Sequence, residues 1–498
     1  MNEPRKSDSP IVPMKAPNKA GQPVAEAVEG RGLAKGNPPQ QNAPRTQSRP
    51  GAPSALERVR EAAAKDRKMR FTALLHHIYD RERLRAAYFS LKREAAAGVD
   101  GETWRHYGEQ LEDNLRDLAA RLKRGAYRAK PVRRVYIPKT DGRQRPLGVT
   151  TLEDKLVQRA TVEVLNAIYE TDFLDFSYGF RPGRSPHQAL QALSDGMMTK
   201  KVNWVLDLDL RGFFDSIDHG WLVKFVEHRI ADRRVVRLIQ KWLNAGVLED
   251  GKRIPMESGT PQGGSASPLL ANVYLHYVFD LWVQEWGRKQ ARGDLMVVRF
   301  ADDIVLGFQY RSEAEQFWTE LAARMRKFGL ELHPDKTRLV EFGRFAARDR
   351  QRRGEGKPET FAFLGFTHIC GKGEKSGRFM VRRQTMRQRL QAKLSEVTAQ
   401  LRRRLHDPVP EVGKWLGAVV TGHNRYYGVP LNYPALFLFR SQVGWRWQRA
   451  LSRRSHKGYV PWDRMRRLID RWLPPIRIYH PYPVRGHGVT TQGKSRMR

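Results

Sequence analysis

The sequence predicts an α+β fold that continues into a helical and strongly basic C-terminal region. Short apolar runs with the period of strands alternate with amphipathic helical segments up to about Cys370, an order typical of α+β proteins. Beyond them, apolar residues recur every three or four positions from Met386 to Leu405 and mark one face of a long helix expected over residues 382–405. Residues 380–498 hold 25 Lys and Arg against 5 Asp and Glu, so the helical region is also the most basic one.

The chain is strongly basic. Its 498 residues carry a formal net charge of +37, which argues against an ordinary metabolic enzyme and for a polyanionic partner, with nucleic acid as the first candidate.

Cys370 is the single cysteine, so neither an internal disulfide nor a cysteine-based zinc site is expected. No apolar stretch of about 18 residues occurs, which predicts no membrane span, and the polar N-terminus predicts an intracellular protein.

The order of elements follows from local signals. Residues 1–54 are rich in Pro, Gly, Gln and Asn and are expected to form a disordered tail. Ser54 is a predicted N-cap for an Ala-rich helix, and further helices should run to about Gly125, interrupted by a turn at residues 98–101. A strand is expected from Val132 to Tyr136. Residues 344–357 are strongly charged and predict a mobile loop that either contacts RNA or is merely solvated.

An acidic pair separates two apolar, strand-like runs within residues 295–308. Asp302 and Asp303 follow Phe300-Ala301 directly, and adjacent like charges repel unless something positive meets them. A divalent metal would supply that charge. The alternative is an ordinary polar turn between strands, since acidic turns are common.

Two further carboxylates share a strand face earlier in the chain. Within residues 204–215, strand alternation places Leu206, Leu208 and Leu210 on one face and Asp207 and Asp209 on the other. Together with the later acidic pair they provide enough hard oxygen ligands for two Mg²⁺ ions. Such ions lie about 3.5–4 Å apart and clamp the attacking and leaving oxygens of a phosphoryl transfer.

A glycine-rich turn, residues 259–265, lies between the two acidic sites and leads into a helix. Glycine allows the backbone to approach a sugar or base closely. The buried stripe predicted for the helix consists of Leu269, Leu270, Val273, Tyr274, Tyr277, Val278 and Leu281.

Six short motifs occur in a fixed order along the chain. They are Ile137-Pro138-Lys139 with Arg145-Pro146-Leu147-Gly148, Asp209-Leu210-Arg211-Gly212-Phe213-Phe214, Thr260-Pro261-Gln262-Gly263-Gly264, Phe300-Ala301-Asp302-Asp303, His333-Pro334-Asp335-Lys336-Thr337 and Phe363-Leu364-Gly365-Phe366. In this order they resemble a reverse transcriptase. Residues 71–77, residues 178–185 and the basic region around Trp415 to Tyr427 narrow the resemblance to the group II intron reverse transcriptase/maturase family. The resemblance covers about residues 56–498.

The resemblance implies a catalytic and metal-binding role for three of the four carboxylates. Asp209, Asp302 and Asp303 would hold two Mg²⁺ ions at the primer 3′-hydroxyl and the dNTP phosphates. Asp207 does not match the family spacing and would only support them.

The resemblance also implies five nucleotide-binding residues. Lys139 and Arg145 are similar to residues that bind the triphosphate. Phe214 occupies the position of an aromatic side chain that blocks a 2′-hydroxyl and so selects dNTPs. Gln262 would contact the incoming nucleotide, and Lys336 would stabilise or protonate the pyrophosphate leaving group.

The implied architecture is a right-hand polymerase followed by a basic maturase domain. Residues 55–375 would form fingers and palm, and residues 376–498 the thumb and the RNA-binding maturase domain. The implied function is an RNA-directed DNA polymerase of a group II intron that binds the intron RNA and promotes its splicing and retromobility. Its partners would be intron RNA, an RNA template, a DNA primer or target and dNTPs, in the bacterial cytoplasm and on the nucleoid when DNA is bound.

Two alternatives stand beside this interpretation. The first is a free-standing reverse transcriptase of the same lineage that serves its host in repair or defence. The second is an RNA chaperone with an idle polymerase site, which the full set of acidic, basic and glutamine motif residues argues against. The motifs do not separate the intron-encoded enzyme from the free-standing one.

Overall fold

A computed structural model describes residues 54–138, 144–249, 251–260, 263–373, 377–454 and 458–480. The predicted N-terminal tail, apart from Ser54, lies outside these residues. Ser54 caps the first helix as expected, because its hydroxyl accepts the backbone N–H of Glu57. The turn at residues 98–101 is also confirmed, with Gly101 in the left-handed region at φ +72°. The N-terminal helices are α1 (Ala55–Lys65), α2 (Leu75–Ile78), α3 (Arg81–Ser90), α4 (Trp104–Glu109) and α5 (Leu111–Lys123).

A first, four-stranded sheet has the order β2-β1-β4-β5. Its strands are β1 (Val132–Pro138), β2 (Gln144–Val149), β4 (Val247–Glu249) and β5 (Lys252–Ile254). The first two strands form an antiparallel hairpin in which Arg145 lies opposite Ile137, and β1 pairs in parallel with β4. The strand predicted at Val132 to Tyr136 is therefore confirmed. Between β2 and β4 the chain forms α6 (Leu152–Tyr169), α7 (Pro186–Thr199), β3 (Trp204–Leu208), α8 (Phe213–Ser216), α9 (His219–Glu227) and α10 (Arg233–Leu243).

A second, antiparallel sheet of order β6-β7-β3-β8 separates two hydrophobic cores. Its remaining strands are β6 (Leu295–Phe300), β7 (Asp303–Phe308) and β8 (Arg338–Glu341), and α13 (Arg311–Lys327) lies between β7 and β8. Leu206 and Ile304 belong to the larger core, whereas Val205 and Val305 belong to the second. Since neighbouring residues alternate between faces, the sheet is buried on both sides and forms a rigid support for the residues at its strand ends.

The helix after the glycine-rich turn contains a change of winding that the sequence did not reveal. Helix α11 (Ser267–Leu275) passes through a π-turn (His276–Asp280) into α12 (Leu281–Lys289). A π-turn inserts one residue per turn and shifts the register of the following face. The expected stripe is buried up to Val278 except at the half-buried Tyr277, but Leu281 is exposed, so its placement in the stripe was wrong.

Two other local expectations are corrected. Residues 344–357 are not simply a loop, because α14 (Ala346–Arg352) forms there and Arg350 and Arg353 pair with Glu341 of β8. Residues 382–385, expected to begin the long helix, belong instead to β11 (Phe379–Thr385). This strand pairs with β10 (Phe366–Lys372), and β9 (Phe361–Phe363) completes a three-stranded sheet.

The C-terminal part of the described chain is helical, as predicted. It consists of α15 (Arg387–Arg403), α16 (Val409–Tyr427), α17 (Tyr433–Ser452) and α18 (Trp462–Trp472). Leu390, Leu394, Val397 and Leu401 form the buried face of α15 and pack with α16 and α17 in a third core. The mixture of helices and sheets confirms the α+β expectation, whereas the domain limits remain predictions. None of the described helices is long and apolar enough to cross a membrane.

Candidate active site

The acidic pair lies at the tip of the β6–β7 hairpin. Phe300 pairs with Asp303, so Ala301 and Asp302 form a two-residue turn. Ala301 has φ +57°, a left-handed conformation that glycine normally supplies at this position of a hairpin turn. For an L-residue it costs about 1–2 kcal/mol, so the tip needs support from its surroundings. Asp302 and Asp303 are both half-buried.

Strand β3 brings the earlier carboxylates to the same edge. Leu208 pairs with Ile304, and one further step along this antiparallel register places Asp209 beside Asp303. Asp207 precedes Asp209 by two residues and shares its face. Leu206, Leu208 and Leu210 are 0%, 3% and 5% exposed, so the predicted alternation is confirmed. The sheet therefore gathers residues that lie almost a hundred positions apart in the sequence.

Burial and neighbouring negative charges both act on the carboxylates of this cluster. Burial raises the pKa of Asp207 to about 7, Arg338 opposes this rise, and the negative charges of Asp303 and Asp209 add to it. The guanidinium of Arg338 (Nη2) lies 3.8 Å from Oδ2 of Asp207. Three carboxylates thus share one electrostatic neighbourhood, which is the donor chemistry that a hard divalent cation requires. Within the described parts of the chain, no three acidic, histidine or cysteine side chains yet converge closely enough to form a metal cage.

Lys336 lies within this cluster. Its Nζ donates to Oδ2 of Asp209 at 2.9 Å. The backbone N–H of His333 donates to the carbonyl of Asp209 at 2.8 Å and fixes the loop against the end of β3. The predicted leaving-group lysine and a predicted metal ligand are therefore neighbours. A partly exposed ion pair of this kind contributes little to stability, so Lys336 can exchange Asp209 for another anion at small cost.

Phe214 is held close to the glycine-rich turn. It belongs to the short helix α8, and its ring packs edge-on against Phe213 with the centroids 5.3 Å apart. Its carbonyl accepts the backbone N–H of Thr260 at 2.7 Å. A Cβ on Gly259 would lie 2.9 Å from the same carbonyl, which explains why glycine is needed there. The backbone of Phe214 is thus locked five residues after Asp209.

The glycine-rich turn also contacts the first sheet. A Cβ on Gly263, which has φ +120°, would lie 2.3 Å from the carbonyl oxygen of Gly148 in β2. This contact brings the turn to the strand that carries Arg145. Lys139 and Gln262 lie outside the described residues, as does the side chain of Arg145, so their nucleotide contacts stay predictions.

The sequence reasoning missed a buried polar group beneath the acidic hairpin. Arg299 and Asp280 are both fully buried and form an ion pair whose Nη2–Oδ2 distance is 2.6 Å. One signal was available, because Arg299 interrupts an otherwise apolar strand, and a buried charge requires a partner. The identity of that partner could not be read, since it lies on another element.

Gly179 supports the strained tip from outside. A Cβ at residue 179 would lie 2.2 Å from the backbone nitrogen of Ala301. We expect Gly179→Ala to displace the tip, to lower the unfolding free energy by roughly 1–3 kcal/mol through overpacking, and to reduce template-directed synthesis at least tenfold. Thermal unfolding and a primer-extension assay measure the two effects.

Gly183→Ala is the matched control for this prediction. Gly183 lies in the same segment at φ +71°, but nothing lies within 4 Å of its would-be Cβ. The alanine should therefore cost only the strain of an L-residue in the left-handed region, about 1–2 kcal/mol, and the variant should keep its synthesis rate. Equal rates in the two variants would show that the close approach of Gly179 to Ala301 is unimportant.

Comparisons with known proteins match the part of the chain that forms this site. The family model described as reverse transcriptase (RNA-dependent DNA polymerase) matches residues 137–368, a span that includes the acidic cluster, the glycine-rich turn and strands β2, β4 and β5 of the first sheet. Protein YkfC of Escherichia coli (strain K12) is 34% identical over 335 residues, which cover 59% of this chain and 87% of that protein.

Two further relatives carry intron-related names. The group II intron-encoded protein LtrA of Lactococcus lactis subsp. cremoris is 38% identical over 222 residues, or 44% of this chain and 37% of LtrA. Nuclear intron maturase 2, mitochondrial, of Arabidopsis thaliana is 29% identical over 236 residues, or 39% of this chain and 30% of that protein. The alignments thus cover well under half of each intron protein.

Proposed function

The chain belongs to the group II intron reverse transcriptase/maturase family, and from this we propose that it is an RNA-directed DNA polymerase that also binds intron RNA and promotes its splicing. One observation carries the polymerase part. The β3–β7 register pairs Leu208 with Ile304, and its next step brings Asp209 beside Asp303 at the same edge of the sheet. Such a cluster, inside the matched family region, favours metal-assisted nucleotidyl transfer.

We assign the metal-binding role to Asp209, Asp302 and Asp303, with Asp207 in support. Bound there, two Mg²⁺ ions would activate the primer 3′-hydroxyl and neutralise charge on the dNTP phosphates. The chain's own contribution is to orient the ligands, and the buried sheet and the two-residue turn provide that orientation. Arg338 and Lys336 limit the repulsion among the carboxylates until cations take over this task.

The nucleotide would be held by residues around this cluster. Phe214 would close the space beside the sugar, since its backbone is locked against Thr260. Lys139 and Arg145 would bind the triphosphate, and Gln262 would contact the incoming nucleotide. Lys336 would leave Asp209 for the pyrophosphate as negative charge develops on it.

We further propose the architecture of a right hand with an appended maturase domain. Residues 55–375 would be fingers and palm, and residues 376–498 the thumb and the intron-binding domain, whose dispersed arginines suit recognition of RNA by shape and phosphate. The DNA primer or target, the RNA template and dNTPs would be its other partners, and retromobility its biological outcome. Its location would be the bacterial cytoplasm, and the nucleoid when it binds DNA; the relatives from Escherichia coli and Lactococcus lactis are bacterial.

Splicing of RNA transcribed from the gene's flanking sequence tests the maturase part. At low Mg²⁺ concentration we expect both the wild-type protein and the Asp302→Ala/Asp303→Ala variant to accelerate splicing, because intron binding depends on the basic surface and not on the acidic cluster. The rate of excised-intron formation, with and without protein, is the measurement.

The same experiment separates the two polymerase hypotheses. If neither protein accelerates splicing while the wild type still copies RNA into DNA, the free-standing reverse transcriptase replaces the intron-encoded one. An increase of salt from 50 to 200 mM should weaken intron binding strongly in both proteins. This salt dependence would show that the basic side chains bind the RNA phosphates.

A further inference from the structure

The side chain of Arg299 lies directly beneath the acidic hairpin, and all of its N–H donors are used. Nε and Nη2 donate to the two carboxylate oxygens of Asp280 at 2.7 and 2.6 Å. Nη1 donates to Oδ1 of Asn272 at 2.9 Å, and Nη2 also donates to Oγ of Ser177 at 2.7 Å. The fifth bond runs from Nη1 to the carbonyl oxygen of Ala301 at 3.1 Å. A guanidinium has five such donors, so the group is completely satisfied.

The fifth bond links this buried group to the catalytic turn. Ala301 is the residue that adopts φ +57° between the strands, and its neighbours Asp302 and Asp303 are proposed metal ligands. Arg299 is itself anchored in β6, where its backbone pairs with Phe176 and Tyr178. The guanidinium therefore fixes the carbonyl of the strained residue relative to the strand from which the turn begins.

A second chain of contacts holds the turn from its other side. Nδ2 of Asn272, whose Oδ1 accepts from Arg299, donates to the carbonyl of Gly179 at 2.7 Å. Gly179 in turn approaches the backbone nitrogen of Ala301 so closely that no Cβ fits. Asn272 thus connects Arg299 with the residue that packs on the turn. Asp280 ends the π-turn of the neighbouring helix, and single π-turns frequently occur at functional sites.

Burial of this pair is not explained by stability alone. A buried ion pair often stabilises a fold no more than apolar side chains of the same volume would. It does restrict the geometry, because both charged groups need their hydrogen-bond partners in defined positions. Here one of the hydrogen bonds of Arg299 is made to the carbonyl of Ala301, the residue of the hairpin whose positive φ needs support. Apolar side chains could fill the space, but they could not hold a carbonyl oxygen in place.

We propose that Arg299 is a positioning residue that acts through Ala301 to set Asp302 and Asp303 against Asp209 in β3. Asp280, Asn272 and Ser177 orient the guanidinium for this task. The inference rests on the proposed polymerase function, because the turn matters only if its carboxylates bind the metal ions.

Arg299→Lys tests the proposal. A lysine keeps the charge but has three donors on a single nitrogen, so it cannot serve Asp280, Asn272, Ser177 and Ala301 together. We expect kcat for primer extension to fall on the order of 10²-fold, as small misplacements of catalytic groups do. The Mg²⁺ concentration for half-maximal rate should rise, and the KM for dNTP should change less than kcat. A folded variant with the wild-type rate and Mg²⁺ dependence would overturn the proposal.

Arg229→Lys is the control for the loss of a buried arginine. Arg229 is 2% exposed, pairs with Asp172 at 2.9 Å and donates to backbone carbonyls of the N-terminal segment. It should lose thermal stability to a similar extent without a shift in Mg²⁺ dependence. A shift of equal size in both variants would mean that general loosening of the fold, and not the hairpin, causes the effect, and would overturn the proposal.

A rescue variant separates positioning from simple structural support. Glycine adopts positive φ readily, so Ala301→Gly should restore several-fold of the lost kcat in the Arg299→Lys background. Absence of any rescue would contradict action through Ala301. If Arg299→Lys does not fold, Ser177→Ala replaces it, since it removes one acceptor only and should lower kcat several-fold. An unchanged rate in that variant would equally contradict the proposal.

Metal binding measured without polymerisation distinguishes failure of the inference from failure of the proposed function. Mn²⁺ binding followed by electron paramagnetic resonance should be weakened several-fold in Arg299→Lys relative to Arg229→Lys. If the wild type binds Mn²⁺ but does not extend a primer, the polymerase function fails while the positioning role is still tested by this comparison. Equal Mn²⁺ affinity in both variants overturns the positioning role even when the wild type is an active polymerase.

Discussion

Asp302→Asn is expected to abolish RNA-templated DNA synthesis, with a fall in kcat on the order of 10³-fold or more, and to leave RNA binding within about twofold of wild type. The amide keeps the size of the side chain but removes the charge that a divalent ion needs, and metal stabilisation of a phosphoryl transfer amounts to several kcal/mol, with a factor of ten for each 1.36 kcal/mol. Primer extension on an RNA template and RNA binding by fluorescence anisotropy, at one salt concentration, measure the two properties.

The fold should tolerate this change. Asp302 is half-buried at a hairpin tip, and loss of a negative charge beside Asp303 relieves repulsion among the carboxylates. We therefore expect an unfolding temperature equal to or above that of the wild type in the absence of divalent ions. Asp113→Asn is the matched control, because it makes the same chemical change at an exposed position of α5 and should keep the full synthesis rate. Polymerisation by Asp302→Asn at the wild-type rate would disprove the metal assignment.

The parts of the fold that the sequence predicted are those decided by neighbours in the chain. The Ser54 cap depends on one hydroxyl and a backbone N–H three residues away. The alternation of Leu206, Leu208 and Leu210 depends only on strand geometry. The wrong predictions concern positions where contacts between distant parts of the chain determine the local structure. Leu281 left its stripe because a π-turn shifts the helix register, and residues 382–385 form a strand because β10 offers a pairing edge.

The candidate site divides in the same way. Its carboxylates could be found from the sequence, because two acidic groups in apolar strands are costly unless a cation meets them. Lys336 was found only through the motif resemblance, since its contact with Asp209 spans 127 residues. The guanidinium of Arg299 contacts Ser177, which is 122 residues away. No periodic pattern in the sequence predicts such a contact, so the buried residues that support the acidic hairpin can be identified only from the folded structure.

Phe214→Val should convert a polymerase selective for dNTPs into one that accepts ribonucleotides, with the preference for dNTP over rNTP reduced on the order of 10²-fold. Valine ends well short of the position of the phenyl ring and opens space beside the sugar. The proposed selectivity would rest on exclusion of a hydroxyl by shape, a mechanism in which contacts of one side chain can change discrimination by this amount. The measurement is kcat/KM for dGTP and GTP in single-nucleotide extension on the same template.

The main chain should not compensate for the lost ring. The carbonyl of Phe214 accepts the N–H of Thr260, and Gly259 lies too close to that carbonyl for any Cβ. The shortened side chain will therefore leave the space open instead of moving into it. Because Phe214 is only partly buried against the larger core, the loss of stability should be smaller than for a fully buried phenylalanine, for which 3–5 kcal/mol is typical of truncation to alanine.

Phe214→Tyr separates the shape of the side chain from other effects of substitution. It keeps the ring and adds a hydroxyl, so we expect it to keep the preference for dNTPs even if its overall rate falls. A valine variant with unchanged selectivity, together with an unchanged tyrosine variant, would show that another residue excludes the 2′-hydroxyl. If valine admits ribonucleotides and tyrosine does not, the ring itself is the barrier. Phe214 lies only five residues after Asp209, and its backbone is held in place. Its ring could then contact the sugar of the same nucleotide whose phosphates lie at the acidic cluster.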